Sequence, residues 1–218
     1  MTNSEKLRPK YHLFTMNKSG KDLNSSHILI ESTLNATATR RNFDRDHLER
    51  SRIGYKVDVL FKFCGLHWTP EIGSGEISGG LLRCTIAKEW MDTIKLGWEL
   101  RDMWVLAQEQ LNGVDASNLV MWEFKVVGHK IRIHALAAAG GFYHLIHEAP
   151  MPSSRFDLQN IKVAYCATLG FVQKMKATKD MLISLNNQRT KLLCSKVRKQ
   201  ETIDLPSVIN TPEKKSDR

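Results

Sequence analysis

The sequence predicts an α+β domain in which a central mixed β-sheet is flanked by helices. Residues 56–63 alternate between apolar and polar side chains, which is typical of a strand with one buried face. After a glycine turn at residues 79–80, residues 81–111 are predicted as a long helix, and residues 156–195 as a second. Their apolar side chains recur at helical spacing, at Ile86, Trp90, Ile94, Leu96 or Trp98, Met103, Leu106 and Leu111 in the first helix and at Ile161, Tyr165, Leu169, Val172, Leu182 and Leu185 in the second. Three shorter strand-like runs lie between these helices, at residues 118–127, 129–138 and 142–148. Because only short turns separate the three runs, we expect an antiparallel meander that extends the same sheet.

The chain is long enough for one globular domain with its own core. It has 218 residues, of which 42% are hydrophobic, and this size is typical of a single domain. We place that domain at residues 27–195. A flexible arm at residues 1–26 and a disordered tail at residues 196–218 are expected on either side, because both ends are polar with few apolar anchors.

The composition favours an intracellular protein, in the nucleus or the cytoplasm, that does not enter the membrane. The chain has no apolar run of signal-peptide length and none near the roughly 18 residues that a membrane helix requires. Its 4 cysteines are scattered without close pairing, which suits a reducing compartment.

Two segments in front of the first clear strand are each compatible with two structures. Residues 26–34 have a short apolar core that fits either a strand or the first turns of a helix. Residues 35–52 mix basic and acidic side chains without an apolar stripe, which fits an exposed loop or a short helix.

Residues 56–63 and 68–78 are predicted to form a hairpin around a turn at Cys64-Gly65. Pro70 indicates that the second strand starts late or lies at an edge, because proline cannot donate a backbone hydrogen bond. Asp58 lies on the polar face of the first strand. An acidic side chain on this otherwise apolar strand is the first candidate for a functional group.

The second strand of the hairpin supplies two further carboxylates, Glu71 and Glu76. Residues five apart on a regular strand point to opposite faces, so both can reach Asp58 only if Gly73 or Gly75 introduces a bulge. We favour Glu76 as the partner of Asp58, with Glu71 as an additional ligand. Carboxylates from neighbouring strands can hold Mg²⁺, which polarises phosphate and activates water. The alternative is that they are surface charges at the edge of the sheet.

The helix that follows the hairpin carries Lys88, Asp92 and Lys95 at spacings of four and three residues, so the three share one face. That face is either an ion-paired helix surface, or it points toward Asp58 and Glu76 and brings a lysine to a bound phosphate or an attacking water.

Positive charge flanks a slightly acidic centre of the chain. Residues 1–56 hold 11 basic and 6 acidic groups, residues 57–170 hold 10 and 12, residues 171–199 hold 8 and 1, and residues 200–218 hold 3 and 4. This distribution fits a polyanion that lies across basic flanks with carboxylates at the middle. A solvated basic helix face is the alternative.

Three segments together carry a resemblance to a known family. They are Gly54-Tyr55-Lys56-Val57-Asp58, then Glu71-Ile72-Gly73-Ser74-Gly75-Glu76-Ile77-Ser78-Gly79, and then the helix with Lys88, Asp92 and Lys95. Over roughly residues 28–185 the chain resembles a group of uncharacterised fungal proteins that is similar to the PD-(D/E)XK nuclease-like superfamily. In that superfamily the Asp ends or bends one strand, and the next strand carries an acidic residue, any residue and then Lys.

The resemblance implies a restriction-endonuclease-like core and Mg²⁺-dependent hydrolysis of nucleic acid. Asp58 would be the superfamily's Asp and Glu76 its acidic residue, with Glu71 assisting at the metal. Ser78 stands where the lysine belongs. In some members the following helix supplies the lysine, so Lys88 or Lys95 would take that role in catalysis. Glu31, on the preceding element, is a further candidate ligand.

Two other hypotheses accompany this nuclease-like function. The first is a degenerate, non-catalytic protein that binds nucleic acid or serves as an interaction module, which the serine at position 78 favours. The second is a scaffold whose basic helix binds an acidic protein partner, and failure to bind DNA or RNA even at low salt would favour it.

Overall fold

A computed structural model describes residues 26–46, 48–78, 85–137 and 142–201. Most of the predicted N-terminal arm and of the C-terminal tail therefore lies outside the described residues, as do the glycine turns predicted at residues 79–80 and 139–141. The described part contains six strands and three helices, in this order: β1 Ser26–Thr33, α1 Asn35–Asn42, β2 Lys56–Phe63, β3 Glu71–Ser78, α2 Ile86–Leu111, β4 Val120–Val127, β5 Lys130–Ala137, β6 Phe142–Pro150 and α3 Leu158–Glu201.

The six strands form one mixed sheet in sequence order, β1 to β6. Every neighbouring pair is antiparallel except β3 and β4, which are parallel. A parallel pair needs a crossover connection, and α2 supplies it. The predicted α+β class, a central mixed sheet flanked by helices, is confirmed, and the three strands after α2 form the expected meander.

The helices lie on opposite faces of the sheet. On one face, Ser74 of β3 donates a hydrogen bond to Glu99 of α2. On the other, the ring of Phe61 in β2 packs edge-on against Phe171 of α3, with 5.4 Å between ring centroids. Because successive strand residues alternate between faces, this assignment fixes which helix each strand side chain meets.

The two segments before β2 that each fitted two structures form a strand and a helix. Residues 26–33 form β1, which pairs with β2, and residues 35–42 form α1. Pro70 does delay the second strand of the hairpin, because β3 begins at Glu71.

The first half of helix α2 exposes apolar residues that were expected to face the core, whereas Met103 and Leu111 in its second half are buried as expected. Trp90 and either Leu96 or Trp98 were expected to pack in the core. Leu96 is buried, whereas Trp90 and Trp98 are 64% and 48% exposed. Glu99 and Asp102 are buried instead. Glu99 lies over Ser74 of β3 and accepts its hydrogen bond, and Asp102 pairs with Arg40 of α1, so both buried acids have polar partners.

Helix α3 also packs through different residues than its large apolar stripe predicts. Tyr165 and Leu169 belong to that stripe but are exposed, whereas Ala164, Ala167 and Phe171 are buried against the sheet. Small alanine side chains allow the helix to lie close to the strands. The predicted stripe is correct further along the helix, where leucines at 182 and 185 are buried.

Among the residues that the structure describes, no helix is both long and apolar enough to cross a lipid bilayer.

Candidate active site

A row of charged residues crosses the sheet beneath α2. The strand register pairs Glu76 of β3 with Lys125 of β4, Lys125 with Arg132 of β5, and Arg132 with Glu148 of β6. Asp58 of β2 lies next to Glu76 at the other end, one residue beyond the last paired position of the hairpin, Val59 with Gly75. Residues opposite each other on paired strands share a face, so the row points toward α2.

The side chain of Asp58 accepts a backbone hydrogen bond from β3 at the point where β2 no longer pairs with it. Its Oδ2 accepts from the backbone N–H of Ile77 at 2.7 Å, where the pairing of β2 with β3 has just ended. This contact holds the carboxylate at the end of the hairpin beside Glu76. The negative charge of Asp58 contributes to the raised pKa of Glu76, which reflects their proximity.

Lys95 of α2 contacts two acidic side chains of the site. Its ammonium forms a short ion pair with Glu76 and lies 3.6 Å from Oε1 of Glu99, one helical turn further along α2. It also donates to the backbone carbonyl of Lys56 at 2.9 Å. The other carboxylate oxygen of Glu99 accepts a hydrogen bond from Ser74 at 3.4 Å. One cation therefore ties α2 to β2 and β3.

Burial sets the protonation of these carboxylates. Burial raises the pKa of Glu99 to about 8, and the nearby charge of Lys95 opposes this increase only in part. Burial also raises the pKa of Glu76 against the hydrogen bond from Lys95. Burial alone would lower the pKa of Lys95, but the hydrogen bond to Glu76 and the charge of Glu99 outweigh it, so that the pKa rises. At neutral pH, Lys95 is thus charged and Glu99 is largely protonated.

Ser78, at the position where the superfamily has lysine, is part of the same surface. Its hydroxyl donates to Asp92 of α2 at 2.9 Å. The face of α2 that carries Asp92 and Lys95 therefore does point toward the sheet, which is the second of the two predicted orientations. Lys88, on the same predicted face, is exposed in the first turn of the helix, and no hydrogen bond or ion pair of its ammonium is found among the described residues. The structure brings Lys95, and not Lys88, to Glu76.

Glu71 is not brought to Asp58, although the expected bulge exists. The register of β2 with β3 shifts between Phe61 and Lys62, so Glu71 lies opposite Lys62. That position is four residues along β2 from Asp58, a distance of about 13 Å. The prediction of Glu71 as an assisting metal ligand does not fit this geometry.

Glu71 has a structural role at the start of α1. Its side chain is buried, and its two oxygens accept the backbone N–H groups of Asn35 at 2.8 Å and Ala36 at 2.9 Å. Lys62 pairs with it at 3.2 Å. The carboxylate thus satisfies amides at the positive end of the helix.

Glu123 and Lys125 of β4 are charged residues near the candidate site that were not among the predicted site residues. Glu123-Phe124-Lys125 has the spacing of an acidic residue, any residue and lysine, so the signal was present in the sequence. Both side chains are buried beneath α2. Lys125 donates to the carbonyl of Glu89 at 2.9 Å and to the hydroxyl of Thr93 at 2.8 Å. These contacts enclose Lys125 within the fold, beside rather than within the accessible part of the site.

Asp58 and Glu76 are the carboxylates of the site that could still bind a metal ion. Contacts within the described residues engage Oδ2 of Asp58 and Oε1 of Glu76, which leaves one oxygen of each carboxylate as a ligand for a hard cation. Two protein carboxylates and several waters are a usual ligand set for Mg²⁺, so these residues fit the ion. Within the described ranges, no group of three or more His, Cys, Asp or Glu side chains is arranged to hold a metal by itself.

Comparison of the chain with protein-family models, with curated proteins and with solved structures finds no match.

Proposed function

We propose that the protein is a nuclease-like hydrolase that cleaves phosphodiester bonds of nucleic acid with Mg²⁺. The observation that carries this proposal is the position of Lys95, whose ammonium contacts Glu76 beside Asp58. Two carboxylates on adjacent strands with one lysine are the groups that the resemblance to the PD-(D/E)XK superfamily requires. The lysine comes from α2 and not from the strand.

Each residue has a defined task in this proposal. Asp58 and Glu76 would hold Mg²⁺, which when bound polarises the phosphoryl group and lowers the pKa of water. Lys95 stays positively charged at neutral pH despite its partial burial, because Glu76 and Glu99 raise its pKa. It can therefore donate to a phosphate oxygen and stabilise the negative charge that develops there. Asp58 is kept in position by the Ile77 amide, so it reaches the site without rearrangement.

The charge of the whole chain supports nucleic acid as the substrate. The sequence has 32 basic and 23 acidic residues. An excess of positive charge attracts polyanions and strengthens binding at low salt.

Cleavage of DNA and RNA in Mg²⁺ or Mn²⁺ tests the catalytic proposal. We expect Asp58→Asn and Glu76→Gln each to lower the cleavage rate by about 100-fold or more. Both substitutions keep the side-chain volume, and the asparagine retains an oxygen for the Ile77 amide. Glu109→Gln is the matched control, because Glu109 is an exposed acid on α2. Wild-type protein without activity on either nucleic acid, or equal rates in all four proteins, would overturn the proposal.

A specific observation favours a second function, that of a non-catalytic nucleic-acid-binding or protein-interaction module. Lys95 already contacts two carboxylates and one carbonyl, and Ser78 is bonded to Asp92. These groups can act simply as a polar connection between α2 and the sheet. Salt-dependent binding to nucleic acid without cleavage in either metal ion would identify this function.

A further inference from the structure

An apolar groove lies on the α3 face of the sheet, away from Lys95. It is bounded by β1, β2 and α3 and has a volume of about 860 Å³. Pockets for small organic ligands typically measure roughly 300 to 1,000 Å³ and are lined mainly by apolar side chains. The groove therefore has the size of a ligand site.

The lining of the groove leaves large aliphatic side chains in contact with solvent. Ile28 and Ile30 of β1, Ile77 of β3 and Val172 of α3 are 62%, 58%, 55% and 56% exposed. Aromatic rings of β2, β4 and α3 complete the lining, namely Phe61, Phe124 and Phe171. A bound apolar chain would remove these surfaces from water, which favours binding.

The two ends of the groove carry opposite charges. Lys176 and Lys179 line one end, where the ammonium of Lys179 lies 5.0 Å from the ring centroid of Phe63. Glu31 and Asp58 line the other. Asp58 and Phe63 are five residues apart on β2, which corresponds to about 16 Å. The lining also includes Lys62 of β2, and Glu31 is paired with Lys56 at 3.4 Å. An elongated ligand with an apolar body therefore meets the ammonium groups of Lys176 and Lys179 along α3 and the carboxylate of Asp58 at the other end.

We propose that this groove binds a long-chain carboxylate, one molecule per chain, with its acyl chain between β1 and α3 and its carboxylate beside Lys176 and Lys179. The occupant is a free monoacyl anion, because one acyl chain matches the aliphatic and aromatic lining and one anionic head matches the two lysines of α3. The acidic end excludes a second anionic group on the ligand, which selects against dicarboxylates of the same length.

Equilibrium dialysis of the full chain against hexadecanoate and hexadecan-1-ol tests the proposal. We expect saturable one-to-one binding of hexadecanoate. Val172→Glu should weaken it about tenfold or more, because the new carboxylate enters the apolar lining and repels the ligand. Val163→Glu is the matched control, since Val163 lies on α3 outside this groove.

A second pair of variants locates the carboxylate. Lys176→Glu should weaken hexadecanoate binding roughly fivefold and leave hexadecan-1-ol binding unchanged. Lys174→Glu makes the same change two residues away, outside the groove, and should affect neither ligand. Absence of saturable binding, equal effects of the two valine variants, or equal losses for both ligands in Lys176→Glu would overturn the proposal. Nucleic acid and metal ions are absent from the assay, so its outcome is independent of the cleavage test.

Discussion

Lys95 is the residue on which the charge balance of the candidate site depends. Its ammonium neutralises Glu76 and faces Glu99, whose side chain is fully buried. Lys95→Met keeps the apolar stem and removes the charge, so the carboxylates lose their counterion. We expect the free energy of unfolding to fall by about 2 kcal/mol in urea denaturation, below the value for a fully buried pair because Lys95 is partly exposed.

Lys88→Met on the same helix is the control and should change the free energy of unfolding by less than about 0.5 kcal/mol, because the lysine is exposed. Adding Glu76→Gln to Lys95→Met should recover part of the loss, since the acid that Lys95 neutralises is then removed as well. An equal loss in both lysine variants would contradict the role of Lys95 as the counterion of the buried carboxylates.

The raised pKa of Glu99 should make the stability of the fold depend on pH. Its folded-state pKa of about 8 lies above the ordinary value of 4.5. Between these values the folded state binds more protons than the unfolded state, so stability falls as the pH rises from about 5 to about 8. We expect the wild type to lose on the order of 3 kcal/mol over this range relative to Glu99→Gln. Urea titrations at several pH values measure the difference, and parallel curves for the two proteins would contradict the prediction.

The candidate site was only partly predictable at the level of single residues. Alternation along β2 predicts which face of the strand carries Asp58, because strand periodicity is a local property. The burial of Glu99 and the enclosure of Lys125 depend on where α2 lies over the sheet. That position is set by contacts between distant segments, which spacing along the chain does not contain.

At the scale of elements, strands were more predictable than the orientation of helices. The bounds of β2 were predicted without error, since alternation and turn residues mark them. In the first half of α2 the apolar side chains of Trp90 and Ile94 indicated a face that is exposed, although Met103 and Leu111 further along are buried as predicted. The polar row of the sheet attracts Glu99 and Asp92 toward it, and hydrogen bonds to Ser74 and Ser78 offset their desolvation.

Replacing a glycine by alanine should have opposite effects on stability in strand β3 and in helix α2. A Cβ at Gly73 in β3 would lie 2.5 Å from the backbone carbonyl oxygen of Trp122 in β4, whereas a Cβ at Gly97 in α2 meets no atom within 4 Å. Gly73→Ala should lower the free energy of unfolding by about 3 kcal/mol, because the two strands must separate. Gly97→Ala should raise it by about 0.5 to 1 kcal/mol through helix propensity. Thermal and urea unfolding of the pair measure both, and changes of equal sign would contradict this account of β3 and β4.

At the scale of the whole molecule, positive charge is concentrated along α3. Between Leu158 and Lys196 the helix carries seven basic residues and one acidic residue, Asp180. The lysines at positions 174, 191 and 196 are exposed. Such a helix can contact successive phosphates of a nucleic acid, and each contact releases condensed counterions.

Replacement of Lys174, Lys191 and Lys196 by glutamine therefore tests where the polyanion lies. If the three lysines each contact a phosphate, the slope of log K against log salt should decrease in magnitude by about 2 to 3, with lower affinity at low salt. A control with the same loss of charge replaces Arg50, Arg52 and Lys88, which are exposed elsewhere. Fluorescence anisotropy with labelled DNA and RNA from low to physiological salt measures both slopes. Equal changes in the two triple variants would show that net charge alone attracts the nucleic acid. Binding that ignores salt would favour a protein partner for this helix.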